Sequence, residues 1–178
     1  MKRFFLEWVV PILAAILLSI IIKRYVFTIA TVPTASMKPT ILEVDKLFVT
    51  RVYNPENLKI GDVVVFYFRE DNERFVKRLI GKPGDTVEIF EDGNVKVNGR
   101  KLDDSYVYER ENVTDVYQKY EVPDDSYFFL GDNRNISKDS RRWKDSHYIK
   151  GKDIRGKAHY IIYPFNRFGK LDSYGYSN

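Results

Sequence analysis

Residues 8–22 read WVVPILAAILLSIII, fifteen consecutive positions without a charge. A surface helix of a globular domain keeps a polar face, and this segment has none to keep. Extended back to Phe4 it covers about 19 positions, interrupted by Glu7. At about 1.5 Å per residue that is just enough to cross a hydrocarbon core of about 30 Å. Basic pairs, Lys2-Arg3 and Lys23-Arg24, stand at both ends. Three readings are open: a retained transmembrane anchor, a cleaved secretory signal peptide, or a core helix buried on all sides. Thr28-Ile29-Ala30 would pass as a small-residue cleavage site. Pro11 lies in the first turns, where a membrane helix tolerates it. The two basic pairs balance, so the positive-inside rule does not orient the segment.

The apolar segment also explains most of the charge. The chain carries 29 basic and 25 acidic residues, a net of +4. Residues 1–24 hold four basic residues against Glu7, which leaves 25 and 24, a net of +1, for the rest. A nucleic-acid-binding domain is expected to show a basic face or stripe. Only Arg141-Arg142 interrupts the mixed pattern here, so no nucleic-acid partner is expected. With no Cys, disulfides, thiol nucleophiles and Cys-ligated metals are excluded. Two His cannot make a three-His metal site, and they leave little room for a His base. Neither a metal nor a cofactor is expected.

After residue 24 the helical period disappears, and short β-branched and aromatic runs alternate with turn signals. Strands are expected at 62–68 (DVVVFYF), 74–80 (RFVKRLI), 86–90, 95–97, 100–102, 126–130 (SYFFL) and 156–163 (GKAHYIIY). Residues 69–73 join the first two as a hairpin, and Asn98-Gly99 is a two-residue hairpin turn. Residues 103–123 are polar and Tyr-rich without a clear period, and read as a variable insertion. The expected architecture is mostly β: an antiparallel β domain behind a single N-terminal transmembrane helix. The expected segments are a short N-terminus at 1–6, the apolar helix at 7–24 and the β domain at 25–178.

Three segments carry residue types suited to chemistry. Pro33 and Pro39 bracket an extended loop that presents Ser36 beside small Ala35. A hydroxyl there is an ordinary loop residue unless a base lies within reach. In Phe75–Asp85, strand alternation puts Phe75, Lys77 and Leu79 on one face. A lysine between two large apolar neighbours can be an edge-strand charge that blocks aggregation. It can also be a base, because desolvation disfavours the ammonium and lowers its pKa by up to about 3–5 units. The third segment, Gly131–Arg141, is dense in residues that cap turns. Alone it reads as a well-capped loop. Its Asp-x-Asn start lacks the glycine and terminal Glu of an EF-hand, and Asn135-Ile136-Ser137 matches a glycosylation sequon by pattern only.

Behind the N-terminal span, these segments together resemble type I signal peptidases (leader peptidases), the compact Gram-positive kind in particular. Ser-Met-x-Pro-Thr is met at 36–40. Gly-Asp-x-Val-x-Phe is met at 61–66, Lys-Arg-x-x-Gly-x-Pro-Gly-Asp at 77–85, and Gly-Asp-Asn-Arg-x-x-Ser-x-Asp-Ser-Arg at 131–141. Four motifs in order make the match specific over roughly residues 1–163.

The resemblance implies a fold of coiled antiparallel sheets and a role for each matching position. Ser36 is then the nucleophile and Lys77 the general base. The Ser36 N–H and the Thr34 hydroxyl face the developing oxyanion. Ser137 orients the Lys77 amine, Asp139 and Arg141 form a structural ion pair, and Asp132 supports the same loop. Arg78 points to the opposite strand face. The substrates implied are exported preproteins cut after small residues at −1 and −3. The resemblance also implies a retained single-pass anchor in the lipid bilayer of the cell membrane, with the catalytic body on the extracytoplasmic side of a monomeric enzyme. The chain lacks the second span and large inserted domain of bigger members.

Other classes fit less well. A Ser-Lys self-cleaving repressor would carry a DNA-binding helix-turn-helix in place of the apolar segment. A penicillin-binding or β-lactamase enzyme needs Ser-x-x-Lys, which does not occur. A membrane-anchored or secreted β-sheet binding module without catalysis remains the different-class alternative; it predicts that Ser36→Ala changes no cleavage.

Overall fold

The computed structural model describes residues 3, 5–108 and 116–176. A turn of π-helix at Phe5–Val9 leads into helix α1 (Val10–Tyr25), with Pro11 in its first turn and Lys23 and Arg24 in its last. None of α1's residues is buried against the rest of the chain. Glu7–Tyr25 is long and apolar enough to cross a membrane. The core-helix reading is thereby set aside: a helix without a polar face that touches no core needs another apolar environment.

Twelve strands follow: β1 (Phe27–Thr31), β2 (Lys46–Arg51), β3 (Val63–Phe68), β4 (Glu73–Gly81), β5 (Thr86–Ile89), β6 (Val95–Val97), β7 (Arg100–Lys101), β8 (Gln118–Glu121), β9 (Ser126–Leu130), β10 (Ile149–Lys150), β11 (Ile154–Tyr163) and β12 (Gly169–Lys170). Every pairing among them is antiparallel. The larger sheet runs β1-β2-β11-β3-β4-β9-β10, with β12 on β11; the smaller runs β7-β6-β5-β8. The fold is the mostly β, antiparallel one expected.

Strand positions follow burial. In β9 all five residues are buried, because the strand lies between β4 and β10 with both faces covered. Phe66, Phe68, Phe75, Phe129 and Trp143 gather into one aromatic cluster, with the Phe66 and Phe129 ring centroids 4.6 Å apart. Each such ring is worth about 1.5–3 kcal/mol of burial. Asn98 and Gly99 both have positive φ, 51° and 76°, the conformation that a type I′ turn between β6 and β7 requires.

The stretch 103–123 is not uniformly irregular. Gln118–Glu121 forms β8 on the edge of the smaller sheet, paired with β5, and Tyr106 is buried. The polar, Tyr-rich composition hid a short edge strand with one half-buried and one exposed face. The remainder of that expected insertion, residues 109–115, lies outside the described residues, as do Met1, Lys2 and Phe4 of the expected N-terminal segment.

The larger sheet closes on itself. β1 and β4 are four strands apart, which in a flat sheet means roughly 19 Å at about 4.8 Å per strand. Yet Thr31 and Glu73–Lys77 line one cleft of about 200 Å³. The long strand β11 supplies the bend: its register slips three times, twice against β2 and once against β3. Such bulges kink a strand and increase its twist.

Candidate active site

The loop after β1 carries Ser36. Thr34 is extended (φ −129°, ψ 152°) and caps a 3-10 turn at Ala35–Met37. Met37 is wholly buried with Val32, Ile41, Leu47 and Val49, so the turn is plugged into the core by the residue next to Ser36. The Ser36 side chain is left facing the cleft, whose lining it joins. Its N–H belongs to the opening of a helical turn, where backbone donors have no partner within the helix. The Thr34 hydroxyl lies 3.2 Å from Ser36 Oγ.

Lys77 sits on β4 opposite Val64 of β3, only 4% exposed. Its Nζ is 2.7 Å from Ser36 Oγ and 5.0 Å from the centre of the Phe75 ring. Burial lowers its pKa from 10.5 to about 8, partly offset by the negative charges of Asp139 and Asp132. A lysine in that range is a usable base near neutrality, and the Ser36 hydroxyl is in contact with it.

The Gly131–Arg141 loop holds the Ser36 turn from behind. Asn133 donates its backbone N–H to the Ser36 carbonyl (3.1 Å) and its Nδ2 to the Ala35 carbonyl (3.3 Å). Gly131 passes so close that a Cβ there would lie 2.2 Å from Ser137 Oγ and 2.5 Å from the Ser36 carbonyl oxygen. Only glycine allows that approach.

Two buried ion pairs fix the loop. Arg141 grips Asp139 through Nε (2.9 Å to Oδ1) and Nη2 (2.8 Å to Oδ2), and the Gly131 N–H also donates to Asp139. Burial alone would raise the Asp139 pKa, but Arg141 and these donors outweigh it and hold the carboxyl below its ordinary value. Arg78 grips Asp132 in the same bidentate way, through Nε (2.9 Å) and Nη2 (2.6 Å), and Thr40 donates to the same carboxylate at 2.6 Å. The Arg78 guanidinium lies against the rings of Tyr106 (4.1 Å) and Tyr174 (5.1 Å), which pack on each other. Arg78 thus faces away from the Ser36 cleft, as strand alternation requires, and its charge is neutralised locally.

Of the expected residues, Ser36, Lys77 and Thr34 come together at one cleft, and Asp132, Asp139 and Arg141 lie behind it. Ser137 stands differently. It is buried on Gly131, and its hydroxyl makes no hydrogen bond to Lys77 among the described residues. Sequence reasoning assigned no role to Asn133, Thr40 or Tyr174. Asn133 lay inside a recognised motif, whereas Tyr174 is distant in sequence and gave no local signal. The two histidines lie elsewhere, His159 bonded to Thr50 and His147 to the Ser140 carbonyl, and neither lines the cleft.

Both lips of the cleft are strand edges. Among the described residues β1 pairs only with β2, and β4 pairs with β9 only from Arg78 onward, so Glu73–Lys77 have no ladder partner there on that side. The arrangement can therefore take an extended peptide between two edges and set a carbonyl against Ser36.

The chain is similar to known proteins over most of its length. The family model described as "Signal peptidase, peptidase S26" matches residues 5–163. The chain is 36% identical to signal peptidase I S of Bacillus subtilis strain 168, over 96% of each chain. It is 35% identical to signal peptidase I P of Bacillus subtilis subsp. natto, over 95% of this chain and 94% of the other. The crystal structure of a signal peptidase I from Enterococcus faecalis V583 aligns with 32% identity and a TM-score of 0.47, covering 57% of this chain and 96% of that one. With a matching family model over most of its length and relatives aligned nearly end to end, the chain belongs to the signal peptidase family, peptidase S26.

Proposed function

We propose that this protein is a membrane-anchored serine endopeptidase that removes signal peptides from exported preproteins, with Ser36 as nucleophile and Lys77 as general base. The observation that carries the reading is the 2.7 Å contact between the buried Lys77 Nζ and Ser36 Oγ inside a cleft edged by two open strands.

The neutral Lys77 amine accepts the Ser36 hydroxyl proton as Oγ attacks the scissile carbonyl. The resulting oxyanion takes hydrogen bonds from the Ser36 N–H and the Thr34 hydroxyl. Lys77, now an ammonium, gives its proton to the leaving amine, and the acyl-enzyme forms. A water deprotonated by Lys77 then releases the acyl group and regenerates Ser36. Asn133, together with the Asp139–Arg141 and Asp132–Arg78 pairs, holds the two reacting groups at this spacing.

An extended substrate pairs with the free edges of β1 and Glu73–Lys77. Ala30, Val32 and Val76, next to the cleft, leave room for small side chains at −1 and −3. The anchor, residues 7–24, is retained, and residues 25–178 act as a monomer on the extracytoplasmic side of the cell membrane, where preproteins emerge.

The test is cleavage of a preprotein by the purified full chain in detergent or liposomes, with product masses read directly. Wild type is expected to cut at one bond after a small residue. Ser36→Ala and Lys77→Ala are each expected to abolish the cut, with an unchanged circular dichroism spectrum. Cutting at the wild-type rate by either variant contradicts the assignment.

A further inference from the structure

The join between α1 and the β body is a single residue. α1 ends at Tyr25, and β1 begins its pairing with β2 at Phe27, opposite Thr50. Val26 between them belongs to both sides. Its N–H donates to the Ile22 carbonyl of the helix (2.8 Å), and its carbonyl accepts from the Arg51 N–H of β2 (3.0 Å). The Phe27 ring packs on Phe48 with 5.1 Å between centres, so the body side is fixed from Phe27 onward. Rotation about the Val26 backbone therefore swings the helix as a rod against the body.

One side chain spans that hinge. Tyr53 donates its hydroxyl to the Tyr25 carbonyl at 2.5 Å. That carbonyl is one of the last four of α1, which lack partners within a helix. Among the described residues this is the one hydrogen bond between α1 and the body beyond Val26. The place of Tyr53 is set from the body side. Val52 before it packs on the aromatic cluster, and Asn54 after it caps the 3-10 turn at Pro55–Asn57, accepting the Glu56 N–H at 3.0 Å. Lys82 Nζ holds the same turn through the Glu56 carbonyl at 2.6 Å. The Tyr53 residue itself is 75% exposed, so it adds little to the core by burial. At the end of a membrane span, a ring that is apolar along its body and hydrogen-bonded at its tip suits the boundary between lipid and water.

We propose that Tyr53 is a positioning residue: by latching the end of α1 it fixes the angle between the membrane helix and the β body, and with it the height of the Ser36 cleft above the bilayer. This rests on the functional reading above and names what presents the cleft to a substrate whose own apolar segment lies in the same membrane. Thr31 lines the cleft and closes β1, which starts at Phe27. The four steps between them span roughly 13 Å at about 3.3 Å per residue, so a rotation of about 30° at Val26 moves the cleft mouth by about 7 Å, or two residues of an extended peptide. A preprotein held in the bilayer cannot follow such a shift, whereas a free peptide can. Loss of one hydrogen bond changes a two-state ratio by roughly two- to tenfold, and cleavage of a membrane-held substrate scales with the latched fraction.

The experiment places the full chain in liposomes, as wild type and as Tyr53→Phe, which keeps the ring and removes the bond. Each is given two substrates: a preprotein inserted in the same liposomes, and a soluble peptide carrying only the residues around its cleavage site. Tyr53→Phe is expected to lower kcat/KM for the preprotein by roughly two- to tenfold, and to leave kcat/KM for the peptide and the melting temperature unchanged. A second measurement reads the angle without catalysis. The chain has no Cys, so Glu91→Cys, in the exposed turn between β5 and β6, gives a unique site for a donor dye. Energy transfer from it to acceptor-labelled lipids is expected to change when Tyr53→Phe is added. An equal loss on both substrates assigns Tyr53 to the fold of the body and overturns the latch. So does preprotein cleavage at the wild-type rate, and so does unchanged energy transfer. A wild type that cuts neither substrate overturns the peptidase reading instead, while the energy transfer still reads the latch.

Discussion

At the scale of single residues, Lys77 is the position where stability and chemistry oppose each other. Its ammonium is disfavoured by burial, so its pKa is about 8 in the folded chain against 10.5 when free. Between these values the unfolded chain holds a proton that the folded chain has released, so this group's contribution to stability rises with pH from about 8 to about 10.5. Below pH 8 both states are protonated and the full penalty stands. Lys77→Met is therefore expected to abolish cleavage while raising thermal stability at pH 7, by up to about 3 kcal/mol. That gain should fade above pH 10, and melting curves at pH 7 and pH 10.5 check it. An unchanged or lowered melting temperature at pH 7 contradicts the account of Lys77 as a strained, desolvated base. Thr34→Val tests the oxyanion role: kcat is expected to fall by about 10²–10³ with KM little altered, as when other oxyanion donors are removed.

At the scale of elements, the site depends on a loop held by charge inside the fold. Asp132 and Arg78 have fully buried side chains and grip each other in two hydrogen bonds. Removing one partner leaves an uncompensated charge, so Asp132→Asn is expected to destabilise the fold by about 3–5 kcal/mol, read as a lowered melting temperature. Asn133→Ala tests a different link. It leaves the backbone bond to Ser36 intact and removes only the Nδ2 bond to Ala35, so a loss in kcat larger than the loss in stability is expected. These elements differ in how far the sequence revealed them. The strands at 95–97 and 126–130 were legible to the residue, because a Val-Lys-Val alternation and a run of SYFFL carry their own period. β1, β2 and β8 were not. Phe27–Thr31 reads equally as the end of a membrane segment or a cleavage site, Lys46–Arg51 mixes charged ends with an interior position between β1 and β11, and Gln118–Glu121 is a short edge defined by its partner. Ser36 and Lys77 were legible only through their motifs. The contact between them depends on a sheet coil set by bulges in β11, which no local pattern announces. The direction of Ser137 is likewise set by packing on Gly131, which its place in the motif does not show.

At the scale of the whole molecule, the apolar N-terminal helix and the β body are energetically separate. No residue of α1 is buried against the strands, and its links to them are the short passage from Tyr25 into β1 and a hydrogen bond from the Tyr53 hydroxyl to the Tyr25 carbonyl. Removing residues 1–25 is therefore expected to leave the melting temperature of the body nearly unchanged while releasing it from membranes; differential scanning fluorimetry and membrane fractionation check the two halves. The near-neutral body, net +1 by count, accords with a protein whose partner on that side is a peptide rather than a polyanion. The central claim is that a buried lysine, not a histidine, deprotonates the serine. The most direct measurement is kcat/KM for one preprotein from pH 5.5 to 10.5, with substrate binding measured in parallel. The account predicts a rise of about tenfold per pH unit that levels off through an apparent pKa near 8. A rate that is flat across that range, or that rises through a pKa near 6.5 as an ordinary histidine would give, contradicts it.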